Sequence, residues 1–357
     1  MDSILKNNSE NRQSKRLIII LGPGRSGTSL LTRLLGTMGM KISENLSQPN
    51  LSNIEGFAED ADIVNLHKKL LIDINAHPYL PLPDNWMNTN AAQEATNKIK
   101  QILNRESNLN STIWGFKDPR INAFLPLWFK VLNSLRYTPI FVLSIRNVSA
   151  VAISCFKQYG TSQYIAELSW LNRIIDALHY TSADCFIVHY EDWFRNPTPI
   201  AKELLSYTGL DQYFTGNVTE ILSQVIKSNL NRSVHEDYQI QNEYVIKLYD
   251  VLKDCRGADF DRTRLMTVVK ECRQAMNGFK GWYLIAQENI ACVANLREQL
   301  QAAKEKQSEL PELRKRIQQL ERENQRLSQM EAEILRAEQA LNHLTKIYPS
   351  DISNQNL

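Results

Sequence analysis

The amino-acid sequence predicts an α/β protein: a P-loop-type three-layer fold with a central parallel sheet, followed by a C-terminal helical coiled coil. Short apolar runs rich in β-branched residues alternate with segments of helical spacing, as in a sheet covered on both faces. A glycine-rich loop at 22–27 separates the first apolar run from the first helical segment. From about residue 291 glycine is absent, and Glu, Gln, Lys, Arg and Leu dominate.

The composition argues against several classes of protein. The chain has 357 residues, and its net charge of +2 disfavours a whole-chain nucleic-acid binder. Its 5 cysteines are scattered without a CxxC pair. This pattern disfavours a metal site or a disulfide framework and favours free thiols in a reducing, cytoplasmic location. The polar N-terminus and the lack of an apolar run of about 18 residues predict neither a signal peptide nor a membrane span.

The first strand and helix follow a lead-in, 1–15, that we expect to be disordered. Residues 17–21 are all apolar and are predicted to form a buried parallel strand. Helical spacing follows the glycine loop over 28–39 and returns over 61–71. Strand, loop and first helix together are typical of the first half of a βαβ unit.

The same alternation continues to about residue 210, and the chain from there to 290 is predicted to be helical. A single α/β domain is therefore expected over 16–290. We predict strands at 113–116, 139–145 and 185–189, helices at 121–135, 148–158 and 163–181, and a helix that begins near Pro197.

The segment 291–346 is predicted to form a coiled coil, and 347–357 a disordered tail. Pro311 divides the segment, and a heptad pattern of about four repeats follows it. An Asn at an a position favours a parallel dimer in fixed register, whereas a single solvated helix is the alternative. The a positions are Leu310, Ile317 and Asn324, and the d positions are Leu313, Leu320, Leu327, Ile334 and Leu341.

The glycine loop has the composition of an anion-binding turn. Backbone N–H groups in such a turn, next to a helix N-terminus, surround a phosphate or sulfate. The loop of an ATP-binding protein carries a lysine where this chain has Thr28. The cation here is Arg25, whose guanidinium can contact a phosphate or sulfate with two N–H groups. The alternative is an ordinary glycine-rich turn without a ligand.

Two further strand ends carry cations. Arg146 closes the strand at 139–145, and Ser154 lies eight residues later in the next helix. Lys117 follows the strand at 113–116, together with Asp118 and Arg120. Because ligands of open parallel sheets bind at the carboxyl ends of the strands, we expect these side chains to meet at one edge.

Five motifs, in this order, resemble those of the sulfotransferase family. The likeness is to its bacterial branch with an RSGTS loop and a KDPR motif, and the layout is similar to that of tyrosylprotein sulfotransferases. The resemblance covers about residues 16–235 and leaves the coiled coil outside. The motifs are GPGRSGTSLL (22–31), NIEGFAED (53–60), WGFKDPR (114–120), RNVSAVAIS (146–154) and VHYEDWFRNP (188–197).

The resemblance implies a sulfuryl donor, 3′-phosphoadenosine 5′-phosphosulfate, and transfer to a hydroxyl or amine without a metal. In the family the loop holds the 5′-phosphosulfate, and a strand-end arginine with a serine eight residues on holds the 3′-phosphate. A late basic residue often assists, here Arg232. The implied donor-binding residues are Gly24, Arg25, Ser26, Gly27, Thr28, Ser29, Arg146, Ser154 and Arg232.

The resemblance also indicates the catalytic groups. Arg25 and Lys117 would stabilise the leaving phosphate, and Glu59 is favoured as the general base because Gly56-Phe57-Ala58-Glu59 matches a family segment. Glu59 and Asp60 could instead cap the helix that follows them. The other candidate bases are Glu55, Asp60, His67 and Asp118.

Two other functions remain open from the sequence. One is a nucleotide or nucleoside kinase, which the missing loop lysine disfavours. The other is a non-catalytic coiled-coil assembly protein with a degenerate nucleotide-binding domain. The acceptor is not identified by any residue: a glycan is the first expectation, and a lipid, small metabolite or protein is an alternative. A homodimer or a partner helix is expected at the coiled coil.

Overall fold

The computed structural model describes residues 15–47, 58–78, 80–107, 113–227, 238–278 and 280–347. The chain divides into two compact units, Met1–Gln287 and Glu288–Leu357. The first unit contains the sheet, and the second is formed by the C-terminal part of one long helix. Within the described residues, no helix has the length and apolar character that crossing a membrane would require.

A four-stranded parallel sheet forms the centre of the first unit, as the sequence predicts. Its strand order is β2-β1-β3-β4. All three neighbouring pairs are parallel, with Leu17 opposite Trp114 on one side of β1 and opposite Pro139 on the other. The strands are β1 (Lys15–Leu21), β2 (Trp114–Lys117), β3 (Tyr137–Ile145) and β4 (Phe186–His189).

Helices cover both faces of the sheet and complete the three layers. Their bounds are α1 (Thr28–Thr37), α2 (Ala61–Asp73), α3 (Asn90–Ser107), α4 (Ile121–Ser134), α5 (Val148–Tyr159), α6 (Gln163–Thr181), α7 (Pro197–Thr208), α8 (Val218–Val225), α9 (Glu243–Leu252) and α10 (Arg262–Gly278). The last helix, α11 (Lys280–Ile347), continues from the first unit into the second.

Strand β1 is buried from both sides because its alternate residues enter two different hydrophobic clusters. Leu17, Ile19 and Leu21 pack with residues of α2, α3, α4, α6, α9 and α10. Ile18 and Ile20 pack with residues of α1, α7 and α8. This two-sided burial explains why the strand is apolar at every position rather than alternating.

The predicted α/β fold class is confirmed, and the segment predicted as a coiled coil is helical. The elements differ from the prediction in several places: β1 already begins at Lys15, and α11 begins at Lys280 rather than near residue 291. Helix α3 was not predicted. Helix α11 continues through Pro311, where the sequence predicted a division. A proline removes one hydrogen bond from an exposed helix and can bend it without ending it, because water can hydrate the freed carbonyl.

Candidate functional site at the carboxyl edge of the sheet

The strand order places the candidate site at the end of β1. From β1 the chain passes to β2 on one side, and it then crosses to β3 on the other side. Such a reversal opens a crevice at the carboxyl ends of the strands, and ligands of parallel sheets bind there. The loop 22–27, the β2–α4 turn and the β3–α5 connection all leave the sheet at this edge.

The loop between β1 and α1 is shaped by two glycines that no other residue could replace without strain. Gly22 has φ 134°, and a Cβ there would lie 2.4 Å from the carbonyl oxygen of Ser144. Gly27 has φ 83°, and a Cβ there would lie 2.2 Å from the ring of Tyr190. Arg25 also takes a left-handed conformation, with φ 68°. The close packing and the unusual backbone angles fix the path of the loop.

Hydrogen bonds from neighbouring strand ends hold this loop in place. The Asn122 side chain accepts from the Gly22 N–H at 3.2 Å and donates to the Gly22 carbonyl at 3.1 Å. The Ser144 hydroxyl donates to the Ser26 carbonyl at 2.7 Å. The loop is therefore preorganised by contacts from α4 and β3.

Arg25 connects the loop to the β3–α5 region. Its Nε donates to Ser154 Oγ at 2.9 Å. Arg146 Nη1 in turn donates to the Arg25 carbonyl at 3.1 Å. The structure thus brings the loop cation and the strand-end arginine and serine together, across more than a hundred residues of sequence.

Arg146 is buried against an aromatic ring. Its guanidinium carbon lies 4.5 Å from the centre of the Tyr190 ring. Burial lowers the pKa of Arg146 from its ordinary value, but an arginine keeps its charge in proteins. Its Nε is buried and has no hydrogen-bond partner among the described residues. An unpaired buried donor is costly, so a bound anion would stabilise this arrangement.

Lys117, at the end of β2, forms a buried ion pair with Glu59. Its Nζ lies 2.7 Å from Glu59 Oε1, and the side chains are only 2% and 11% exposed. Burial lowers the pKa of Lys117, and the Glu59 carboxylate acts in the opposite direction. Arg120 Nη2 lies 3.9 Å from the other oxygen of Glu59. Glu59 therefore stands between two cations.

Behind this pair, a chain of buried groups orients Arg120. Trp128 Nε1 donates to His67 Nε2 at 3.0 Å. Because that nitrogen accepts, the proton of the neutral ring lies on Nδ1, which is 2.8 Å from Asp118 Oδ2. Asp118 also accepts from the backbone N–H and Nε of Arg120, each at 3.0 Å. The carboxylate positions Arg120 rather than acting as a base.

The protonation states of this chain follow from burial and charge. Burial lowers the pKa of His67, and Asp118 only partly offsets the effect. Burial alone would raise the pKa of Asp118, but Arg120 and His67 outweigh it and hold that pKa well below its usual range. Asp118 is therefore ionised and His67 neutral at neutral pH.

These groups surround a cavity of about 550 Å³, a size in the range of small-molecule sites. Among the described residues, seven cationic side chains line it against a single carboxylate, that of Glu59. The cavity is therefore suited to an anionic ligand. The cations are Arg25, Arg33, Lys68, Lys117, Arg120, Arg146 and Arg173.

Most of the sequence-predicted site residues line this cavity. Ser26 and Ser154 are not among the lining residues: Ser26 is fully buried, and Ser154 contacts Arg25. Arg232 and Glu55 lie outside the described residues. The predicted residues that line the cavity are Gly24, Arg25, Gly27, Thr28, Ser29, Glu59, Lys117 and Arg146.

Two of the other candidate general bases, Asp60 and His67, do not line the cavity. Asp60 caps α2, where its Oδ1 accepts from the Ile63 N–H at 3.0 Å. His67 is packed in the core, 1% exposed. Within the described part of the chain, no group of three or more His, Cys, Asp or Glu side chains is arranged to hold a metal ion.

Several lining residues were not predicted from the sequence. Tyr190, Lys68, Arg173 and Cys155 reach the cavity from four different elements, and none belongs to a phosphate-binding motif. Burial raises the pKa of the Cys155 thiol to about 11, so it is protonated and is not a nucleophile. In the sequence, Lys68 and Arg173 are distinguished only as cations within helical segments. The two helices begin near the carboxyl edge of the sheet.

No family model matches the chain, and no curated protein matches it. Among solved structures it is similar to a sulfotransferase domain from the Synechococcus PCC 7002 olefin synthase, with a TM-score of 0.37 and 15% identity over 74% of this chain and 97% of that chain. It is also similar to a sulfotransferase domain from the curacin biosynthetic pathway, with a TM-score of 0.36 and 17% identity over 57% of this chain and 79% of that chain. Both neighbours are of the class that the sequence motifs resemble.

Proposed function

We propose that the chain is a sulfotransferase that moves a sulfuryl group from 3′-phosphoadenosine 5′-phosphosulfate to a hydroxyl or amine of an acceptor. The observation that carries the proposal is that Arg25, in the β1–α1 loop, contacts both Arg146 and Ser154. The loop and this pair are the two groups that we propose bind anions. The Nε of Arg25 donates to Ser154 and its carbonyl accepts from Arg146. A nucleotide with a phosphosulfate at one position and a phosphate at another requires two such groups side by side.

The 5′-phosphosulfate fits the loop. Thr28 and Ser29 begin α1 at the cavity, and their N–H groups and hydroxyls lie at a helix N-terminus, which favours an anion. Arg25 supplies the charge that a lysine gives an ATP-binding loop. The 3′-phosphate fits Arg146, whose buried Nε has no hydrogen-bond partner in the part of the chain that the structure describes. Ser154 would contact that phosphate by turning its hydroxyl from Arg25.

The ion pair between Lys117 and Glu59 supports a direct in-line transfer. The acceptor oxygen forms a bond to sulfur while the bond from sulfur to the 5′-phosphate oxygen breaks. The acceptor proton passes to Glu59, and adenosine 3′,5′-bisphosphate leaves. As Glu59 is neutralised, Lys117 loses its carboxylate partner and becomes available to the charge on the leaving phosphate. Arg25 neutralises the same charge from the loop side.

The experiment that tests this function is a calorimetric titration of the whole chain with adenosine 3′,5′-bisphosphate, ATP–Mg²⁺ and AMP. Tight binding of the bisphosphate alone is expected. Preference for ATP–Mg²⁺ would instead indicate a kinase, and no binding of any of the three would indicate an assembly protein. Transfer from the sulfated donor is then measured by release of the bisphosphate in the presence of candidate acceptors.

We also propose that α11 pairs with the same helix of a second copy. Within the second unit, apolar side chains recur at heptad spacing and are about half exposed in the single chain. Exposed leucines at this spacing favour association because pairing removes them from water. The side chains are Leu310, Leu313, Ile317, Leu320, Leu327 and Ile334.

A further inference from the structure

The cavity carries more positive charge than the proposed donor requires. Seven cationic side chains line it with one carboxylate, that of Glu59, among the described residues, and a second carboxylate, Asp118, holds Arg120 from behind the lining. At neutral pH the donor carries about four negative charges, two on the phosphosulfate and close to two on the 3′-phosphate. Positive charge is left over when the donor is bound, and this charge lies in a cavity with walls of low dielectric constant, where it attracts a second anion.

Three of the cations lie on elements that the donor assignment does not use. Lys68 is on α2, Arg120 is in the turn between β2 and α4, and Arg173 is on α6. The donor is assigned to the β1–α1 loop and to the ends of β2 and β3. We refer to these three cations as a wall of the cavity, which Glu59, the proposed base, also lines.

The two arginines of this wall are fixed before any ligand arrives. The Nε of Arg120 is held by Asp118, which His67 and Trp128 anchor in the core. Arg173 donates from one Nη to the carbonyl of Pro78. Each side chain is thus held through one nitrogen while the residue lines the cavity. Fixing a guanidinium in advance lowers the entropic cost of ion pairing with a ligand.

We propose that the acceptor is itself an anion, with a carboxylate or similar acidic group near the hydroxyl or amine that receives the sulfuryl group. Lys68, Arg120 and Arg173 bind the acidic group, which places the acceptor oxygen at Glu59. This inference rests on the proposed function and names its substrate class.

The test uses the whole chain saturated with adenosine 3′,5′-bisphosphate and two matched pairs of probes. One pair is 4-hydroxyphenylacetate and its amide, and the other is methyl glucuronoside and its amide. Within each pair the shape is the same and only the charge differs. We expect the acid of at least one pair to bind about tenfold more tightly than its amide, the size of one charge-assisted hydrogen bond.

Two neighbouring lysines of α2 provide a matched control. Lys68→Gln should reduce the preference for the acid severalfold, whereas Lys69→Gln should leave it unchanged, since Lys69 pairs with Asp73 and does not line this cavity. Equal binding of acid and amide in both pairs, or a preference that survives Lys68→Gln, would overturn the proposal. Bisphosphate binding is measured separately, so its absence would count against the sulfotransferase function and not merely against the acceptor class.

Discussion

Two parts of the cavity hold their cations in different ways. We call the β1–α1 loop with the β3–α5 connection the loop side, and the β2–α4 turn with Glu59 the helix side. On the loop side, Arg25 donates to a serine hydroxyl and Arg146 to a backbone carbonyl. On the helix side, Lys117 is paired with Glu59 and Arg120 with Asp118. The partners on the loop side are neutral, whereas those on the helix side are carboxylates.

This difference separates binding from chemistry. A cation with neutral partners keeps its full charge for a ligand, as a permanent anion site requires. Lys117 is paired with the proposed base itself, so its charge becomes available when Glu59 takes up the acceptor proton. Asp118 stays ionised and only positions Arg120. The loop side is therefore suited to hold the donor, and the helix side to respond to proton transfer from the acceptor.

The sharpest way to break the helix side is Glu59→Gln. The amide oxygen can still accept from Lys117, but it cannot take the acceptor proton. We expect the turnover number to fall about 10²–10⁴-fold, the usual contribution of a general base. Affinity for adenosine 3′,5′-bisphosphate, measured by calorimetry, should not fall, because a neutral residue at position 59 competes less with the phosphate for Lys117.

Asp62→Asn is the matched control, since Asp62 lies three residues further along and pairs with Arg105 outside the cavity. Its turnover should equal that of the unmodified chain. Undiminished turnover in Glu59→Gln would remove Glu59 as the base. A large loss of bisphosphate affinity in Glu59→Gln would show that the helix side also contributes to binding the donor.

Breaking the loop side should affect binding instead. Arg146→Ala removes the charge assigned to the 3′-phosphate, and we expect the dissociation constant of adenosine 3′,5′-bisphosphate to rise about 10–100-fold. AMP, which lacks that phosphate, should lose far less. Titration calorimetry of both nucleotides measures the difference, with Arg195→Ala, an exposed arginine beyond β4, as the control. Equal losses for both nucleotides would refute the assignment of the 3′-phosphate site.

The difference between the loop side and the helix side also explains which site residues could be predicted from the sequence. The loop side consists of short motifs at strand ends, in which glycine spacing and a strand-end arginine are visible in the sequence. The helix side depends on contacts between residues far apart in the chain: Lys117 and Glu59 are 58 positions apart, and Arg173 and Pro78 are 95 apart. No local pattern encodes such pairings. Lys117 was visible as a strand-end cation, Glu59 was found only through a resemblance, and Lys68 and Arg173 were not found.

The fold shows the same limit. The strands were predictable because burial on both faces makes them apolar throughout. Helix α3 was not predicted: its sequence, NAAQEATNKIKQILNRES, is polar over most of its length. Its buried residues, among them Ile99 and Leu103, join the cluster beneath the sheet at helical spacing. A few apolar positions in a polar segment are a weak signal for a helix without knowledge of the surface that they cover.

The buried contact between His67 and Asp118, which positions Arg120, can be tested through the pH dependence of the free energy of unfolding. Burial lowers the pKa of His67 in the folded chain, so the folded state binds fewer protons than the unfolded state once the pH falls below about 6.5, the ordinary value for histidine. The free energy of unfolding should therefore decrease as the pH falls through that value, by up to about 1.4 kcal/mol per pH unit from this residue. Denaturant titrations from pH 7.5 to 5.5 measure the slope.

His67→Gln should flatten this slope, because glutamine does not titrate. His179→Gln should flatten it less, since His179 is half-buried rather than enclosed and its pKa is lowered by a weaker burial. An identical slope in His67→Gln and the unmodified chain would mean that folding does not change the pKa of His67, so that its ring is protonated in the folded state below about pH 6.5. That result would contradict the neutral tautomer assigned from its contacts with Trp128 and Asp118.

Helix α11 differs from both sides of the cavity, because its charged side chains are exposed on a single helix and none is assigned to the proposed site. There the apolar side chains, rather than the cations, define a surface.

Leu320→Lys places a charge at a d position, which should weaken pairing and reduce the mass in solution about twofold, from dimer to monomer. Light scattering measures the mass, and Gln319→Lys, which adds the same charge one residue away, should leave it unchanged. A monomeric unmodified chain would contradict the pairing. Bisphosphate affinity should be the same in all three proteins, because every residue assigned to the donor lies before residue 288.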